Sequence, residues 1–69
     1  MPDIWKFLYE DVVLIDSDGK KHVGRVVDIA PAEDTEDDED NLTLATDSGS
    51  FIGFFPHEIQ SIELRFPKT

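Results

Sequence analysis

The sequence predicts a mainly β domain of five strands in a strongly bent small barrel, with a short N-terminal helix and a disordered acidic loop between strands 2 and 3. Three observations lead there. Asp18-Gly19, the strongest short hairpin signal, joins the apolar run VVLID to the β-branched run that follows it. Gly24 interrupts that second run, Lys20–Ala30, so the strand cannot keep one inward face from end to end. A glycine there admits a bend or bulge and lets another backbone cross closely, so one long strand can serve two sheets. Finally, the 69 residues contain no cysteine and are 39% hydrophobic, with five Phe, one Trp and one Tyr. A chain this short, without disulfides or thiolate metal sites, must rest on one compact apolar core.

In chain order, Pro2 and Asp3 open IWKFLYE, where Ile4, Phe7 and Leu8 recur at i, i+3 and i+4. This predicts a two-turn helix over residues 3–9, lying as a lid over one end of the barrel with Trp5 and Tyr9 partly exposed. Val12–Ser17 forms the first strand and Lys20–Ala30 the second, which Pro31 ends by removing a donor. Residues 32–41 form the acidic loop. Asn41–Thr46, with Leu42 and Leu44 on one face, is the third strand. Asp47-Ser48-Gly49 turns into Ser50–Phe55, the fourth, whose Phe51, Ile52, Phe54 and Phe55 are too many large apolar groups for a strand with one wet face. Pro56-His57-Glu58 makes one helical turn, and Ile59–Phe66 is the fifth strand, stopped by Pro67. No repeat or linker divides the chain, so residues 1–69 read as one domain.

Sixteen acids against six bases give −10, but the charge is uneven. Glu33–Asp40 holds seven acids and no base, leaving nine acids against six bases, or −3, elsewhere. Those seven repel one another and offer nothing to bury, which predicts a solvated, disordered tether. The run has the oxygen chemistry that Ca²⁺ prefers, yet lacks the alternating ligands and central glycine of an EF-hand loop. No metal or other cofactor is expected. The longest apolar runs are four residues, too short for a membrane span or signal core, which predicts a cytoplasmic address.

Asp18-Gly19, Gly24, Asp28, Asn41-Leu42-x-Leu44 and Glu58-Ile59-x-x-Ile62 together resemble the Sm-like small barrels. In that family the same order appears as a DG turn, a glycine in the bent second strand, an aspartate near its end, NL-x-L and a closing I-x-x-I. PRC-barrel and Rof-type (Rho-inhibitor) small barrels share the pattern. The resemblance spans roughly residues 4–64. It implies RNA binding through an Asp/His-x-Asn motif after strand two and an Arg-Gly pair before the last strand, and rings formed by pairing strand four of one copy with strand five of the next. Here the first motif survives only as Asp40-Asn41, and Pro56-His57 replaces the Arg-Gly pair. With that cation gone and the loop negative, RNA phosphate would be repelled where the family holds it.

His22 and His57 are the chain's two histidines, and no Ser-His-Asp set stands at recognisable spacing. A domain this small has few walls for a catalytic pocket, so no enzyme is expected. The expected function is a binding module whose acids Glu33, Asp34, Glu36, Asp37, Asp38, Glu39 and Asp40 dock on a basic protein surface, such as that of a nucleic-acid-binding protein. Rof-type barrels offer the analogy of fold and charge. The alternative is an Sm-like RNA binder using Lys20, Lys21, Arg25, Asn41 and His57. A monomer is expected.

Overall fold

The structure, a computed structural model, describes residues 4–34 and 39–66, without the Asp34 side chain. Its five strands are β1 (Asp11–Asp16), β2 (Lys21–Ala30), β3 (Asn41–Thr46), β4 (Phe51–Phe54) and β5 (Ile59–Leu64). All neighbours are antiparallel in one sheet of order β4-β3-β2-β1-β5. The strands lie where the sequence predicts them, with ends shifted by one or two residues.

The two hairpins share one plan. In the first, the Gly19 amide donates to the Asp16 carbonyl and the Asp16 amide to that of Lys20. In the second, Gly49 and Ser50 stand to Thr46 in the same way. Gly19 (φ 83°) and Gly49 (φ 92°) supply the left-handed residue that closes a three-residue hairpin loop. The residue before each loop locks it with its side chain. Asp16 Oδ1 accepts the amides of Asp18 and Lys20, both at 2.9 Å, and Thr46 Oγ1 accepts the Ser50 amide at 3.1 Å.

β2 is the bent strand. Its residues 21–25 pair with β1 and residues 24–30 with β3, so Gly24 and Arg25 serve both partners. Gly24 is crossed closely: a Cβ there would stand 2.1 Å from the Ala45 carbonyl oxygen. The change of inward face comes slightly later than the sequence implies. Gly24 and Val26 point in, a bulge leaves Val27 without a partner, and Ile29 points in again. A second irregularity, between Ile15 and Asp16, curls β1 against β5.

The barrel itself is a correction. β4 and β5 are the two edges of the sheet and do not pair, so it is curved but not closed. Four-residue β4 offers a short ladder, and Pro56, which has no amide hydrogen, starts the turn that carries the chain to the far edge beside β1. The N-terminal helix over 3–9 is a second correction: it is a 3-10 turn, Ile4–Phe7. So short a segment cannot meet the cost of nucleating an α-helix. Tyr9 then takes φ 65°, and its amide donates to the Val26 carbonyl at 2.7 Å, leading the chain onto β2. Ile4 and Phe7 are buried in the core with Leu8 packed against it, while Trp5 and Tyr9 are exposed, as the periodicity predicts.

The core comprises these two residues with Val12, Leu14, Val26, Ile29, Leu42, Leu44, Phe54, Ile59 and Ile62, drawn from every strand. Of the aromatic β4 cluster only part is covered: Phe54 is buried, Ile52 and Phe55 are half-buried, and Phe51 is 74% exposed. Among the described residues no helix is long and apolar enough to cross a membrane.

Candidate functional site

The acidic run begins where Pro31 stops β2 and ends where β3 starts, so its two ends lie side by side at one end of the sheet. The sequence predicts a disordered loop over 32–41; the described ends, 32–34 and 39–40, make defined local contacts. Ala32–Asp34 forms a 3-10 turn, with Glu33 exposed. Glu36, Asp37 and Asp38 lie outside the described residues. Asp40 ties the two ends together: its Oδ1 accepts the Ala32 amide at 2.8 Å. Its Oδ2 accepts the indole N–H of Trp5, bringing the 3-10 turn Ile4–Phe7 to the same place. Glu39 Oε2 lies 2.7 Å from His57 Nδ1, and the His57 ring stacks on Phe55 with centroids 5.8 Å apart.

The β4–β5 turn is set by its own sequence. Pro56 suits its first position, the Phe55 amide donates to Glu58 Oε1 at 3.0 Å, and the Glu58 amide donates back to the Phe55 carbonyl. His57 is thereby presented outward, toward Glu39. Asn41, first in β3, lays its amide group over Gly53 of β4, with Oδ1 3.2 Å from where a Cβ would stand. The result is a face on which Asp40 adjoins Trp5, which is 43% exposed, and Glu39 adjoins His57 with Phe55 behind it, Glu33 being exposed at the start of the same run.

The alternative RNA-binding residues do not meet. Asn41 pairs with Ala30 at one end of β2, and Lys20 and Lys21 stand at the other end, ten and nine residues away along the bent strand. Arg25 lies between, with Nη2 3.3 Å from Asp11 Oδ2. His57 faces Glu39. No cationic track joins these five side chains, and the lysines do not pair with the described acids of the loop.

The two histidines are likewise apart, each on a carboxylate. His22 Nε2 lies 2.8 Å from Asp16 Oδ2, and its ring meets Phe54 with centroids 5.1 Å apart. This holds the Asp16 carboxyl below its ordinary value of 3.8; the His22 hydrogen bond contributes most and the Lys20 amide next, against the opposing effect of burial. Among the described residues no three His, Asp or Glu side chains converge as metal ligands would.

The sequence reading missed Trp5 as a member of the site and Glu39 as the partner of His57. Trp5 and Asp40 are 35 positions apart, so no local pattern could join them. No family model, curated protein or solved structure matches the chain, and its function must be argued from these side chains themselves.

Proposed function

We propose that this chain is a non-catalytic binding module that docks its acidic face on a basic protein surface. One observation carries the reading: Asp40 holds the exposed indole of Trp5 against the ends of the acidic run. Carboxylates beside an exposed tryptophan suit arginine-bearing partners. The acids supply long-range attraction and charge-assisted hydrogen bonds, and the indole face takes a guanidinium by cation–π contact worth about 0.5–1 kcal/mol at an exposed site. The seven acids between Glu33 and Asp40 also raise encounter rates with a cationic partner and make affinity fall with salt. Such a partner includes a protein whose basic surface otherwise holds nucleic acid. The Sm-like resemblance is compatible with the strand order, but its RNA-binding residues are divided between two ends of β2.

Trp5 is the chain's one tryptophan, so its fluorescence reports on this face directly. Titration with an arginine-rich peptide should change the Trp5 emission saturably, with affinity falling as salt rises. Trp5→Phe should weaken binding measured by calorimetry. Neutralising Glu33–Asp38 with Gln and Asn should weaken it further. Single-stranded RNA should cause no saturable change at matched salt. Tight, salt-sensitive RNA binding would overturn this reading in favour of the RNA alternative.

A further inference from the structure

At the opposite end of β2 the bend opens a second feature. The last residue of β3 to pair with β2 is Thr46, opposite Gly24, so Lys21, His22 and Val23 have no ladder partner in β3. The chain crosses the gap through the Asp47 amide, which donates to the Val23 carbonyl at 3.1 Å. A cleft of about 290 Å³ remains between the two hairpin loops, walled by Lys20, Lys21, Asp47, Ser48, Ser50 and Ile52 among others.

The charges around this cleft are distributed unusually for so acidic a chain. Among the described residues, Arg25 and Arg65 each face a carboxylate, and the Lys6 ammonium lies over the Phe7 ring. Lys20 and Lys21 are in no ion pair among the described residues. Two of the neighbouring acids, Asp16 and Asp47, are already engaged, while the Asp18 carboxylate has no partner among the described residues. Asp16 is bound by His22 and by the amides of Asp18 and Lys20, and Asp47 holds Arg65 Nη1 at 2.8 Å. The Ser50 hydroxyl has no partner among the described residues, while Thr46 Oγ1 lies 2.8 Å from Ser48 Oγ. Two ammonium groups and a free hydroxyl donor around one small cleft of mixed polar and apolar walls are the donor set of a compact dianion.

We propose that this cleft binds a small tetrahedral dianion: phosphate, or the phosphate group of a small phosphomonoester. Lys20 and Lys21 neutralise its charge, and Ser50 donates to one of its oxygens. The volume lies at the lower bound of ordinary ligand sites, which suits a phosphate with a short substituent and excludes a large ligand. The cleft is separate from the acidic face, so the two readings stand or fall independently.

The test is a titration of the ¹⁵N-labelled full chain with inorganic phosphate and, separately, with glycerol phosphate, chloride holding the ionic strength constant. Expected are saturable shifts confined to the amides around Lys20–Lys21 and Ser48–Ser50, with half-saturation at about 1 mM or below. Acetate, a monoanion, should bind at least about tenfold more weakly. The Lys20→Gln/Lys21→Gln double variant should lose a further factor of about ten, while Lys6→Gln leaves the affinity unchanged. Tighter binding of glycerol phosphate identifies the ligand as an ester; tighter binding of phosphate identifies the free ion. Shifts that do not saturate, that acetate reproduces, or that survive the double substitution in a variant with an otherwise unchanged spectrum would overturn the proposal.

Discussion

A Cβ built on Gly24 would stand 2.1 Å from the Ala45 carbonyl oxygen and 2.8 Å from the Thr46 Cα. Both belong to the backbone and cannot turn aside as the end of a side chain could. Gly19 is different: open space surrounds it, and it is needed only for its φ of 83°. Gly24→Val should therefore cost more than about 3 kcal/mol, at or beyond the upper end of ordinary overpacking. Gly19→Ala should cost about 1 kcal/mol. Urea titrations of the two variants make the comparison, and equal losses would mean that β3 does not cross at Gly24. Asp16 supports a prediction about pH. Its folded value is depressed, so its contribution to stability is fully present above the ordinary value of 3.8 and disappears as pH falls through the lower folded value. Asp16→Asn should thus be less stable than the parent at pH 5, and the gap should narrow steadily toward pH 2. A gap independent of pH would mean that the carboxylate charge is not what His22 and the loop amides bind.

The acidic run divides into a body and a stem with different expected sensitivities. Replacing Glu33–Asp38 by a short neutral linker removes mutual repulsion and no core residue. Halving a loop lowers its closure cost by about 0.6 kcal/mol, so that variant should be as stable as the parent or slightly more so. Extending the replacement through Asp40, or changing Asp40→Ala alone, removes the acceptor of the Ala32 amide and the Trp5 indole. That should cost about 1 kcal/mol and alter Trp5 emission. A fluorescence-monitored urea titration reads both quantities, and identical behaviour of the two replacements would mean that the stem is not held by Asp40. The contrast also marks how far the sequence could be read. The hairpin at Asp18-Gly19, the crossing at Gly24 and the inward Leu42 and Leu44 were legible because turn chemistry and alternation are local. The open edge between β4 and β5 was not, since closure depends on where Pro56 sends the chain after a four-residue strand. Nor was the stem: Trp5–Asp40 and Glu39–His57 join residues 35 and 18 positions apart that only the folded sheet brings together.

At the scale of the molecule, an open sheet leaves β4 and β5 as two edges, and each carries an exposed aromatic group at or just beyond its end. Phe51 is 74% exposed and Phe66 67%. Unpaired edges invite pairing with the complementary edge of a second copy, and apolar side chains beside them strengthen the invitation. Two features oppose it. β4 is only four residues long and includes Gly53, which leaves few cross-strand side-chain pairs to form. Each copy also carries −10, and successive edge-to-edge contacts would gather several acidic faces into one assembly. At low salt the repulsion should prevail and the chain should sediment as a monomer. At 0.1 M salt the Debye length is about 10 Å, which weakens repulsion between exposed acids without abolishing it, so association through the edges should emerge only as salt rises further. Sedimentation velocity at low and high salt measures this directly. Phe51→Ser should suppress the high-salt association, because it removes exposed apolar surface from the β4 edge without touching the core. A stable ring at low salt would show that edge pairing outweighs the charge, would overturn the monomer, and would restore weight to the RNA-binding alternative, whose divided residues could then be completed by neighbouring copies.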